Sequence, residues 1–418
     1  MAIASPSLSQ RPSSPAGAKQ ALNRRLAYLS GGFRVSTRSD AEEGGPRAHV
    51  QGVISGFRDL GWEVENFIIG DRVPARITRR SHHLIQKHWW RSLATDVGRL
   101  ALRPVCSQQA WRELGNRFEW VYERLATFQC LGRRFQRGGA TWILETNGLL
   151  FREAKFDRQC LVLSPVARRL ELQAYRRADA VVCVSRALKS LVCDEAGISA
   201  EKVVIVPNGV DTHFLDPEKH ATKRLFDGFT IGYVGRLVEW QALDLLFRAV
   251  HELKCERGIH INVAVMGDGR MRQPWRDLVR DIGLSAQIQF LGQVSSDLVP
   301  AYLSGVDLGY SGQVPLKTAA MYHSPVKIYE YMAMGKPVLA SAFDDALSVV
   351  HPRRTGFLFQ PEDKDDLKRA LTEAYAARES LEEMGRLGRQ EVVLHHSWKS
   401  RVETMAAGVR QILNRRSR

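Results

Sequence analysis

The chain of 418 residues lacks most features that would narrow a fold at once. Its six cysteines, at 106, 130, 160, 183, 193 and 255, include no Cys-x-x-Cys pair and form no metal-like grouping with histidines. That excludes a disulfide-built scaffold and a zinc finger, and points to reduced thiols in a cytoplasmic protein. No run is apolar and long enough to span a bilayer; the best candidates are broken by Arg186, Lys189 and Asp194. There is no short internal repeat and no flanked Asp-x-Asp metal motif, and Asp344-Asp345 reads as a turn cap, so no metal is expected. Residues 1–22, rich in Ser, Pro, Ala and Gln, lack the apolar core of a secretory signal and read as a disordered leader. An acid-poor organelle transit peptide stays open as an alternative.

What is present is positive charge. The net charge of +15 and isoelectric point near 9.8 favour anionic partners: nucleotide phosphates, nucleic acid or an anionic membrane surface. The length suits two domains of ordinary size, and 44% hydrophobic with 25% charged residues is the balance of a globular protein.

Along the chain, short apolar runs alternate with helical periods. Arg25 to Ser30 reads as a first buried strand, Gly44-Gly45-Pro46 as a loop, His49 to Leu60 as an amphipathic helix and Glu63 to Ile69 as a second strand. Strand, glycine loop, helix and strand make a βαβ unit, which predicts a parallel sheet. From Asp71 to Gly139 the pattern reads as helical and basic, with Arg72, Arg76, Arg79, Arg80, Lys87, Arg91 and Arg99 among Trp89, Trp90 and Leu100. Aromatics among cations suit a membrane interface or an anionic substrate, and equally a solvated face over core tryptophans. Thr141 to Glu145 and Ala180 to Val184 read as further strands, and Lys202 to Val206 closes the half. This gives a first doubly wound domain over 23–211, a polar linker at 212–228 and a second such domain over 229–390. A C-terminal helix and basic tail over 391–418 are expected to return to the first domain.

In the second half, Phe229 to Val234 is a strand leaving through Gly235-Arg236, and Ile259 to Met266 one leaving through Gly267-Asp268-Gly269. The stretch from Ser324 to Ala340 reads as a loop ending at Pro325, a short helix carrying Glu330, a stop at Gly335 and a buried strand from Pro337. A glutamate there sits beside the carboxyl end of a strand, where open α/β sheets bind ligands.

These residues resemble the retaining, nucleotide-sugar-dependent glycosyltransferases of family 4, which have the two-domain GT-B fold. Four signals in the family's order carry the resemblance: Asn208-Gly209-Val210-Asp211, Gly235-Arg236-Leu237, Gly267-Asp268-Gly269 and the stretch from Ser324 to Pro337. It covers about Ala27 to Arg401 and implies an α/β fold of two tandem Rossmann-like domains facing a cleft. It implies, further, a co-substrate that is a UDP- or GDP-sugar, no other cofactor, and a lipid-linked or saccharide acceptor, with no nucleic acid. Arg236 is implied as the diphosphate arginine and Glu330 as the ribose ligand. Gly44, Gly45, Gly267, Asp268, Ser324 and Val326 are expected around the phosphates or sugar. His49, Glu145 and Asn147 are candidates for acceptor contact. Retaining enzymes of this fold are thought to use no protein nucleophile, the leaving phosphate helping to deprotonate the acceptor. A cytoplasmic protein, peripheral on the inner membrane face, fits this class.

Two positions depart from the family. Gln241 stands where a lysine is common, and Tyr322 where a sugar-binding glutamate is common. Lys327 is the nearest replacement for the missing charge. Two alternatives remain: another GT-B activity such as a sugar-nucleotide epimerase, and a basic binding protein without catalysis.

Overall fold

The computed structural model describes residues 24–41, 44–74, 88–315 and 321–416. The expected leader at 1–22 and the basic residues Arg76, Arg79, Arg80 and Lys87 lie outside the described residues.

Two parallel six-stranded sheets carry the chain. The first has strands β1 (Arg25–Ser30), β2 (Glu63–Ile68), β3 (Trp120–Arg124), β4 (Thr141–Thr146), β5 (Ala180–Cys183) and β6 (Val203–Ile205), in the order β2-β1-β3-β4-β5-β6. The second has β7 (Thr230–Val234), β8 (Asn262–Met266), β9 (Ile288–Gly292), β10 (Leu308–Ser311), β11 (Val338–Ser341) and β12 (Gly356–Phe359), in the order β12-β11-β10-β7-β8-β9. Each order reverses direction beside its first strand, and that reversal opens a crevice at the carboxyl ends of the strands. The strands read as unbroken apolar runs because helices cover both faces; Leu26 to Leu29 and Val263 to Met266 are all buried.

Helix α1 (Gly45–Asp59) connects β1 to β2, with Pro46 in its first turn and Val50, Val53, Ile54 and Phe57 turned to the core. It starts four residues before the expected His49, so the double glycine belongs to the helix start rather than to a preceding loop. The expected all-helical region from Asp71 to Gly139 is corrected. Helix α2 (Trp89–Leu114) is followed by β3, a central strand in which Trp120, Val121 and Tyr122 are buried. The β-branched and aromatic character of that run outweighs the charged residues around it.

Helix α3 (Val326–Ala333) follows Pro325, and Gly335 at φ +65° ends the turn beyond it. The carboxyl-terminal end holds two helices, α4 (Leu381–His395) and α5 (Trp398–Arg416), so residue 391 lies inside α4 and the break falls at His396–Ser397. Helix α5 packs on the first sheet's side: Trp398, Val402, Met405, Ala406 and Val409 share one core with Val50, Val53 and Phe57 of α1. Trp398 presses against Gly52 and Gly209, where a Cβ would fall 2.2 and 2.9 Å from its ring atoms.

Trp398→Ala is therefore expected to destabilise the protein by about 3–5 kcal/mol, by emptying a site that three segments fill. Urea unfolding checks this; a loss below about 1 kcal/mol would mean that α5 is not held by this ring.

Candidate functional site

A pocket of about 350 Å³ lies between the two sheets, lined by residues of both halves of the chain. From the first come Gly45, Pro46, His49, Arg124, Asn147, Glu153, Asp157 and Arg158; from the second, Trp240, Gln313, His323, Ser324 and Val326; and Asn208 stands at the junction. Gly45 and Pro46 bring the amino end of α1 to the pocket, and Ser324 and Val326 bring the amino end of α3. Neither helix has a side-chain cap there. Two positive dipole ends with unfilled amides therefore face one space, an arrangement suited to an anion. A Cβ at Gly45 would meet nothing within 4 Å.

The floor is a buried polar chain that crosses between the halves. Glu145, at the end of β4, pairs through Oε1 with His49 Nε2. His49 Nδ1 lies 2.7 Å from Asn208 Oδ1, and the Asn208 amide nitrogen donates to the Ser324 carbonyl at 2.5 Å. Since that donation fixes the Asn208 orientation, both imidazole nitrogens of His49 face acceptors. Ser324 Oγ accepts from Asn208 N at 2.9 Å and donates to Asp345 Oδ2 at 2.6 Å, while Tyr329 donates to Asp345 Oδ1 at 2.7 Å. Asp345 is thus the buried anchor of the α3 segment, not the turn cap read from the sequence. Its neighbour Asp344 accepts from Ala187 N of the first half at 2.9 Å.

The expected residues divide into two groups. Gly45, His49, Asn147, Ser324 and Val326 line the pocket. Glu145 does not: it is 2% exposed and turned to His49, so the expected acceptor contact is replaced by a place in the buried chain. Gly44 caps α1 just behind Gly45.

Gly235, Arg236, Gln241, Gly267, Asp268, Lys327 and Glu330 gather around the β7 exit. Gly267, at φ +143°, lets the β8 exit lie on the β7 exit; its Cβ would fall 1.8 Å from the Gly235 carbonyl oxygen. Asp268 binds Gly269 N at 2.7 Å and Arg272 at 3.0 Å, so its carboxylate serves the loop itself. Lys327 Nζ donates to Gln241 Oε1 at 2.6 Å and lies 4.0 Å from the Tyr233 ring centre. Burial pushes the Lys327 ammonium down to about 7, with Glu330 opposing. Burial pushes the partly exposed Glu330 up, and Lys327 opposes that in turn.

Arg236 is exposed and reaches toward the first half, where burial, then Arg99, with Arg236 and Arg158 adding to it, pushes the Arg34 guanidinium below its usual range. Arg124 is a pocket cation missed because β3 was missed; with the Asn147 amide oriented so that its oxygen faces the guanidinium, both terminal nitrogens donate to it at 2.9 Å. Glu153, Asp157 and Arg158 were also missed, since they follow the Thr146-Asn147-Gly148 turn on a short helical segment with no sequence signature. Among the described residues, no grouping of three or more His, Cys, Asp or Glu stands ready to hold a metal, and no helix is long and apolar enough to cross a membrane.

The sequence matches the profile of Glycosyl transferases group 1 over residues 217–391 and that of Glycosyltransferase Family 4 over residues 43–214. The chain belongs to the group 1 glycosyltransferases. Among curated relatives, a GDP-mannose-dependent alpha-(1-6)-phosphatidylinositol monomannoside mannosyltransferase of Mycobacterium tuberculosis is 26% identical over 60% of this chain and 65% of its own. An MMP alpha-(1->4)-mannosyltransferase of Mycolicibacterium hassiacum is 24% identical over 55% of this chain and 54% of its own. The chain thus spans about half to two thirds of the length of these relatives. Among solved structures, sucrose-phosphate synthase from Thermosynechococcus elongatus superposes with a TM-score of 0.68 at 15% identity, over 94% of this chain and 99% of that one. Anabaena Alr3699/HepE in complex with UDP gives 0.61 at 16%, over 93% and 100%. These likenesses establish the two-domain GT-B fold.

The Glu145–His49 pair has a pH signature. Burial raises the Glu145 carboxyl, but the charge and hydrogen bond of His49, with Arg124 and Tyr122, hold it below the usual carboxylate range. A carboxyl depressed on folding adds stability above its unfolded value, which is lost as pH falls through the folded one. In His49→Ala burial prevails, the carboxyl rises and the sign reverses, so that stability falls as pH climbs above the unfolded value of about 4.3. Urea unfolding from pH 4 to 8 is expected to show a deficit that widens to about 3–5 kcal/mol near neutrality; a deficit constant with pH would refute the pairing.

Proposed function

We propose that the protein is a retaining glycosyltransferase that moves a sugar from a nucleoside diphosphate sugar, UDP- or GDP-linked, to a saccharide or lipid-linked acceptor in glycan, glycolipid or surface polysaccharide synthesis. The observation that carries this reading is the convergence of the α1 and α3 amino ends, with Arg124 beside them, on one pocket between the sheets. Breaking the sugar–diphosphate bond puts charge on the leaving phosphate oxygens, and fixed dipoles and cations aimed there supply the main help. In this reaction the bond from the anomeric carbon to the phosphate oxygen breaks on the face where the acceptor oxygen bonds, and the acceptor proton passes to the departing phosphate. Arg236 and Lys327 fit the diphosphate in place of a metal, and Glu330 fits the ribose. The names of the relatives, one GDP-mannose-dependent and one solved with UDP, support a nucleotide-linked donor.

The enzyme is expected to work at a membrane face. Trp89 and Trp90, 71% and 52% exposed, begin α2, with Arg91 over the Trp90 ring at 5.0 Å, and Val97 and Val105 are exposed further along the helix. Bulky aromatics beside cations suit the interface of an anionic bilayer.

A thermal-shift panel of nucleoside diphosphate sugars identifies the donor, since binding to the native state raises its melting temperature. With that donor, Arg236→Ala is expected to lower kcat by about 10²–10³-fold, as removal of a charge-stabilising donor does. Glu330→Ala and Lys327→Ala are expected chiefly to raise the donor KM, and wild-type donor affinity to fall as pH rises past about 7, where Lys327 loses its proton. Full activity in both Arg236→Ala and Glu330→Ala would sink the assignment. In sedimentation with phosphatidylglycerol vesicles, Trp89→Ser with Trp90→Ser is expected to reduce the bound fraction severalfold while leaving that of salt-dependent binding to Arg and Lys. Unchanged sedimentation would remove α2 from the membrane contact.

A further inference from the structure

The cleft wall holds a carboxylate that neither the buried chain nor the proposed diphosphate site uses. Glu153 is 5% exposed, yet it lines the pocket. Its Oε1 accepts the Tyr322 hydroxyl at 3.0 Å, and its Oε2 pairs with Arg158 at 2.5 Å. Tyr322 comes from the second half of the chain and Arg158 from the first, so the carboxylate is held from both sides of the cleft. A carboxylate has about four lone-pair directions, and these two partners leave about half of them open.

The backbone is shaped for the same group. Residues Glu153–Asp157 form a single π-helical turn, a rare conformation that occurs mostly at functional sites. That turn sets Glu153 and Asp157 on the pocket wall with Arg158 following. At Gly148 a Cβ would fall 1.7 Å from Glu153 Oε1, so the absence of a side chain there is what gives the carboxylate its place.

We propose that Glu153 binds the sugar of the donor, its carboxylate accepting hydrogen bonds from the sugar hydroxyls; this rests on the nucleotide-sugar reading above. An anion on this wall repels phosphate and favours a neutral polyhydroxyl group, so it addresses the sugar rather than the diphosphate. Ser324 and Val326, at the amino end of α3 where the diphosphate is proposed to dock, line the same pocket, which brings the transferred sugar and not a remote part of the acceptor to Glu153. The sequence offers no carboxylate at residue 322; the Tyr322 hydroxyl instead orients one supplied by the other domain. The sugar contact therefore forms only when both domains frame the cleft.

Titration calorimetry on the full chain without acceptor tests this, using UDP, GDP and their glucose, galactose, mannose and N-acetylglucosamine forms as probes. For the base that the wild type binds, Glu153→Gln is expected to keep nucleoside diphosphate affinity within about twofold and to weaken the preferred nucleotide sugar by about tenfold or more, the loss of one charge-assisted hydrogen-bond acceptor. Tyr322→Phe, which keeps the ring in its core, is expected to shift the same ratio in the same direction by less. An unchanged ratio in both variants, or equal losses for nucleotide and nucleotide sugar, would overturn the assignment and leave Glu153 as a brace for Arg158 and Tyr322. Failure of the wild type to bind any of the probes would overturn the donor reading itself, and this inference with it.

Discussion

The arrangement of the cleft depends on Asn208. Its side chain joins His49 of the first half to Ser324 of the second, and its backbone N–H donates to the Ser324 hydroxyl. A buried amide satisfied on both sides has one acceptable orientation, and leaving any of its groups unpaired costs about 1–3 kcal/mol each. Ser324 immediately precedes α3 and His49 lies in the first turns of α1, so this joint sets the separation of the two helix ends that face the pocket. Arg401 of α5 reinforces it, donating to the Asn208 carbonyl at 3.1 Å and to Tyr329 at 3.1 Å. The polar chain thus links three segments distant in sequence, and the apolar contact of Trp398 with Gly52 and Gly209 holds them together around it.

How much of this was legible in the sequence follows from the range of each signal. Alternation of apolar runs and glycine turns marked the second sheet and every strand of the first but β3, and β1, read as Arg25 to Ser30, agrees with the structure to the residue. The helix bearing Glu330 was legible because Pro325 and Gly335 bound it. The strand β3 was lost among the basic residues around it, and with it went Arg124, whose position depends on that strand. The partners Asp345, Arg401 and Glu153 were beyond reach for another reason: each acts on residues 16 to 193 positions away, a pairing set by tertiary packing alone. Local pattern also gave Glu145 the wrong neighbour. It ends a strand at the crevice as expected, but a buried carboxylate takes the nearest hydrogen-bonding partner, and His49 Nε2 is there.

The glycine motifs read differently once packed. Gly267 was expected around the phosphates or sugar, and its missing side chain also lets the Gly235 carbonyl lie against it. Two strand exits are thereby stacked, the β7 exit carrying Arg236. A motif can keep its residues for a reason one step removed from the ligand, and the physical reason is found in what would collide.

The charge missing at Gln241 leads to the same region. Lys327 Nζ sits on the Gln241 side-chain oxygen, so the amide holds an ammonium beside residue 241. The side chains of Tyr233 and Gln241 leave that ammonium largely without water, and Gly235 gives it room, a Cβ there falling 3.2 Å from Nζ. Burial disfavours the charged form more than Glu330, one turn along α3, favours it, so the ammonium is pushed down to about 7. An anion arriving at the β7 exit would tip that balance toward the ammonium. A lysine so placed gains most from a phosphate group, whose negative charge adds to that of Glu330 in favouring the ammonium.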